Sequence, residues 1–123
     1  MKKSVLPILL VIVSACSKPA DKDEVAPVLT LNAPTDNQAF TAGQNIMISG
    51  TASDNKYIEQ IHVVITNQIT GVEYLHIHIH PNSNSFNFNQ GYTAQAGINY
   101  KIEVIVDDPS SNSTAKSVLV SCN

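Results

Sequence analysis

The chain has 123 residues, with seven lysines and no arginine against ten acidic residues. That length suits one domain with its own core, and a hydrophobic fraction of 43% argues against a disordered chain. An acidic balance without arginine also argues against nucleic acid as a partner, because phosphate binding needs clustered Lys and Arg.

Lys2 and Lys3 are followed by Val5 to Val13, nine uncharged residues broken only by Pro7. A bilayer span needs about 20 apolar residues, so this run reads as the apolar region of a secretion signal. Val13-Ser14-Ala15-Cys16 comes next and resembles a bacterial lipobox. The resemblance implies that residues 1–15 are a lipoprotein signal peptide and that Cys16 receives lipid. The membrane is then a partner through that anchor, which holds stably with two or more acyl chains. Ser17 after the cysteine resembles the outer-membrane sorting pattern. Residues 16–26 carry the lipidated cysteine and then SKPADKDEVA, a charged stretch without periodicity that reads as a flexible tether. Within it, Lys22-Asp23-Glu24 resembles the surface-export signal of Bacteroidota lipoproteins. The implied location is the outer membrane, facing the periplasm or exposed at the cell surface. Cys122 is the one cysteine besides Cys16, so a disulfide within the domain is not expected.

Residues 27–123 alternate in short segments with turn residues between them. The apolar set is mostly β-branched, 13 Ile and 12 Val, and Asn and Ser number 12 each, which favours strands joined by polar turns. Strands are expected over 28–31, 45–50, 57–66, 72–80, 85–89, 98–106 and 115–121, with turns at 53–56 and 107–112. About seven antiparallel strands in this length fit an all-β, immunoglobulin-like or fibronectin-III-like sandwich. Gly97-Ile98-Asn99-Tyr100 resembles the strand start at which a buried Tyr hydroxyl bonds back to the chain in a tyrosine corner. The Cys…Trp…Cys signature of antibody domains is absent, since there is no Trp. The whole resembles small Bacteroidota lipoproteins with an Ig-like domain, a resemblance that carries no activity with it.

All four histidines lie between 62 and 80. Successive strand residues point to opposite faces, so His76, His78 and His80 share an outer face with Tyr74, while Leu75, Ile77 and Ile79 turn inward. His62, between Ile61 and Val63, faces outward on the preceding strand. A three-residue loop, Gln68–Thr70, puts His62 opposite His76. A four-residue loop with Gly71 left-handed shifts the pairing by one and needs a bulge. The first register is the expected one, because both strands then bury their Ile, Leu and Val. His-x-His on a strand sets two imidazoles about 6.6–7 Å apart at Cα, close enough to converge on one ion with a third from the neighbouring strand. His62, His76 and His78 are the candidate set for zinc or copper. His80 lies about 13 Å from His76 and needs a separate partner.

Asp54, Asp107 and Asp108 lie in the two turns that meet at one end of such a sandwich, and carboxylates suit Ca²⁺. Asp is also a common turn former. Catalysis finds little support, since no G-x-S-x-G, H-E-x-x-H or phosphate-binding glycine loop occurs. The expected function is a non-enzymatic, lipid-anchored binding or accessory module with an envelope protein or glycan as partner. Exposed Tyr57, Tyr74 and Tyr92 are candidate contacts. A transition-metal-binding lipoprotein is the alternative.

Overall fold

A computed structural model describes residues 22–123, so the segment expected to be a signal peptide, and Cys16, lie outside the described residues. Eight strands follow in order: β1 (Val28–Ala33), β2 (Gln38–Phe40), β3 (Asn45–Ile58), β4 (Gln60–Asn67), β5 (Glu73–Ile79), β6 (Ser83–Thr93), β7 (Asn99–Asp107) and β8 (Ser113–Cys122). They form a three-stranded sheet, β1-β3-β6, and a five-stranded sheet, β2-β8-β7-β4-β5. The strand beyond the expected seven is β2, a three-residue edge element running parallel to β8. It is too short to show a period-2 pattern, so nothing in its sequence marks it.

Period-2 alternation builds the core between the sheets. Ile46 and Ile48 of β3, Ile61, Val63 and Ile65 of β4, and Ile102, Val104 and Val106 of β7 are all fully buried. Leu29, Phe88 and Val120 close the layer from β1, β6 and β8. Tyr100 is also fully buried, and its hydroxyl accepts a hydrogen bond from the Gln95 backbone N–H at 3.0 Å. This is the tyrosine corner anticipated from Gly97–Tyr100. Gly50 lets β1 and β6 close in on β3, since a Cβ there would overlap the Thr30 carbonyl oxygen and the Phe88 ring.

Two aromatic expectations change. Tyr74 and Tyr92 are half-buried, each edge-on to Tyr100 with ring centroids 5.6 Å apart. They cap the core and are not a free contact surface. Cys122 is likewise a buried core residue with a free thiol.

The β4–β5 register also differs from the expected one. His62 pairs with His78 and Val64 with His76, whereas Thr66 pairs with Glu73, the shift falling between Ile65 and Thr66. The turn supplies the reason. Gly71 has φ +75°, and the Asn67 side-chain oxygen accepts from the amides of Ile69 and Thr70 at 2.9 and 3.0 Å. The Gly71 amide donates to the Asn67 carbonyl at 2.9 Å. This closes the four-residue loop that requires a bulge, and Tyr74 is the bulged residue. The bulge restores inward pairing of Leu75 with Ile65 and turns Tyr74 towards Tyr100.

Candidate functional site

The β4–β5 ladder sets three histidines side by side on the outer face of the five-stranded sheet. His62 and His78 are directly opposed, with ring centroids 4.6 Å apart, and His76 stacks on His78 at 4.6 Å. One ring nitrogen from each of His62, His76 and His78 lies within 4.8 Å of the other two. His62 Nδ1 and His76 Nε2 face each other at 3.4 Å. The expected trio therefore comes together, although His62 sits opposite His78 and not His76. His80 is not part of it; its Nδ1 lies 3.2 Å from the Glu59 carbonyl oxygen.

Carboxylates stand behind two of these rings. His62 Nε2 is 3.0 Å from Asp107 Oδ2, and His76 Nδ1 is 3.4 Å from Glu73 Oε2. His78 Nδ1 contacts the Gln60 side-chain amide. Alternation places Glu73 inward by simple count, and the bulge at Tyr74 is what returns it to the histidine face. Asp107 follows inward-facing Val106 at the end of β7, diagonal to His62, which pairs with Ile105. Loss of surrounding water, and then the charges of His62, His76 and His80, hold the His78 imidazole below its ordinary value of 6.5.

The acidic set is rearranged. Asp54 and Asp108 meet, but Asp107 does not join them, because adjacent strand residues point to opposite faces. Its place is taken by Asp23, from the segment expected to be free tether. A carboxylate oxygen from each of Asp23, Asp54 and Asp108 lies within 4.8 Å of the others, and all three side chains are buried. The Asn112 side-chain amide ties the segment down, donating to the Asp23 carbonyl at 2.8 Å and to Asp108 Oδ2 at 2.7 Å. Burial by itself would raise the Asp108 carboxyl. The side chain and amide of Asn112, the Ser110 amide and nearby Lys22 together bring it below its ordinary value of 3.8. Asp23 offered no sequence signal beyond its charge, because 31 residues separate it from Asp54 and its packing is wholly tertiary.

Two surface concavities lie away from the histidines. One is lined by Asn37, Gln68, Asn99 and Leu119, the other by Leu31, Pro34, Lys116 and Val118.

Two sheets with this strand order and a tyrosine corner define an Ig-like, fibronectin-III-like module. The chain belongs to the bacterial Ig domain family, which matches residues 27–104. Domains of this family are commonly extracellular or surface-associated. The fold is similar to that of the fibronectin(III)-like modules of Clostridium thermocellum CbhA, with a TM-score of 0.57 and 23% identity. That likeness covers 80% of this chain and 47% of the other, so the chain spans about half the length of the solved structure it matches. No curated protein matches the chain.

Proposed function

We propose that the chain is a non-enzymatic, lipid-anchored Ig-like module of the outer membrane, and that its ligand-bearing surface is the histidine face of β4 and β5. That face binds a late transition-metal ion, zinc or copper. The observation that carries this reading is the convergence of His62, His76 and His78 to within 4.8 Å. Three imidazoles leave at least one coordination position open, and nitrogen donors suit these metals.

The hydrogen-bonding partners favour the same reading. A proton on His62 Nε2, donated to Asp107, leaves Nδ1 free to face the centre. A proton on His76 Nδ1, directed at Glu73, leaves Nε2 free. Carboxylates behind ligating histidines fix the ring and raise its basicity. The open site can complete its coordination with a side chain of an envelope protein or with a glycan oxygen, so metal binding and partner binding act at one surface.

Calorimetric titration with Zn²⁺ and Cu²⁺ tests this. The wild-type chain is expected to bind at micromolar affinity or tighter. His76→Ala/His78→Ala is expected to lose about 100-fold, and His62→Ala to lose about as much as His78→Ala. Equal binding by the wild type and the double variant would remove the metal reading. The anchor is tested separately, since Cys16→Ser is expected to move the protein from the membrane to the soluble fraction. Unchanged fractionation would remove the lipid.

A further inference from the structure

The buried acidic cluster serves none of this. Asp23 precedes β1, Asp54 lies in the irregular stretch of β3 between Ser53 and Ile58, and Asp108 follows β7 directly. Their relative exposures are 7%, 9% and 1%. Among the described residues no lysine forms an ion pair with any of them. Their hydrogen-bond donors are neutral. Asp23 Oδ1 accepts from the Val25 amide and the Asn55 side chain. Asp54 Oδ2 accepts from the amides of Lys56 and Tyr57, both at 2.9 Å. Asp108 Oδ1 accepts from the amides of Ser110 and Asn112, and its Oδ2 from the Asn112 side chain.

One atom is left over. Asp54 Oδ1 is fully buried and, among the described residues, accepts no hydrogen bond. A buried carboxylate oxygen without a donor is costly, and more so beside two other anions. Neutral amides and the single nearby lysine, Lys22, do not balance three negative charges; a divalent cation among the carboxylates does. Ca²⁺ binds oxygens at 2.3–2.6 Å, so opposite ligands lie about 4.6–5.2 Å apart, and three carboxylate oxygens within 4.8 Å of one another are near enough to share one such ion. Ca²⁺ also tolerates irregular geometry, whereas Mg²⁺ demands a near-ideal octahedron and keeps its waters. With no nitrogen or sulfur donor, the trio is a poor site for the metals that suit the histidines.

We propose that Asp23, Asp54 and Asp108 form a calcium site that clamps the segment before β1 to the end of the sandwich. The ion joins three stretches of chain through one carboxylate each, and Asp54 Oδ1 gains its missing partner. Calcium then controls how firmly the domain is fixed to the chain that precedes it. For a module displayed on a tether, that fixes the direction in which the domain points.

The purified full chain, stripped with EGTA, is titrated with CaCl₂ by calorimetry and melted with and without it. One calcium per chain is expected, with the melting temperature raised by about 10 °C at calcium a hundredfold above Kd. Amide exchange across residues 23–26 is expected to slow in calcium. Asp54→Asn and Asp23→Asn are each expected to weaken calcium at least about tenfold. His76→Ala/His78→Ala is expected to leave calcium binding unchanged, so failure here and failure of the histidine reading are separable. Absence of heat and of a melting shift in the wild type at millimolar calcium would overturn the proposal, whether or not the variants fold. A response to MgCl₂ as strong as that to CaCl₂ would overturn the choice of ion.

Discussion

The two ligand clusters differ in almost every respect except that both draw on the end of β7. The histidine face is largely exposed, built from nitrogen donors and set on one two-strand ladder. The aspartate cluster is buried, built from oxygen donors and assembled from three segments far apart in sequence. Asp107 and Asp108 are adjacent, yet one stands behind His62 and the other lies among the carboxylates. Strand alternation is enough to divide two neighbouring, chemically identical residues between two sites of opposite preference. An exposed cluster depends on which side chains share a face. A buried cluster depends on which backbones converge.

The first variant tests whether both clusters rest on one scaffold. Tyr100→Phe removes the acceptor for the Gln95 amide at the opposite end of β7 and is expected to cost about 0.5–1.5 kcal/mol in urea denaturation. Zinc and calcium affinities, measured where the variant is folded, are expected to stay within about twofold of wild type. A selective loss of either would mean that the cluster depends on strain carried along β7.

Asp107→Asn tests the division between the adjacent aspartates. It is expected to weaken zinc about tenfold, roughly 1.4 kcal/mol, by removing the carboxylate behind His62, while calcium binding is unaffected. Weakened calcium binding would return Asp107 to the acidic cluster.

Gly71→Ala tests what holds the register. An alanine at φ +75° is expected to cost about 1–2 kcal/mol. Zinc affinity is expected to fall less than about fivefold, because burial of Ile61, Val63 and Ile65 holds the ladder beyond the bulge. A larger loss would show that the turn, and not the core, sets the histidines.

How far each feature could be read from the chain follows its physical range. The sandwich was legible because its signals are local: alternation in β4 and β7, turn residues between strands, and the Gly97–Tyr100 corner. The histidine trio was legible because His76 and His78 are two residues apart and the strand period alone puts them on one face. Its register was not. Choosing between a three- and a four-residue loop requires knowing that Asn67 caps the turn and that Tyr74 can bulge towards Tyr100. Glu73 reaches the histidine face only through that bulge.

The sequence by itself determined the architecture, the core faces and the histidine row, because periods of two and short turn motifs act over a few residues. Only the tertiary structure decided that His62 opposes His78, that β2 adds an edge, and that Asp23 leaves the expected tether to join Asp54 and Asp108. Those outcomes depend on contacts between segments tens of residues apart. There the geometry is set by how two sheets close on a common core, and no local pattern encodes it.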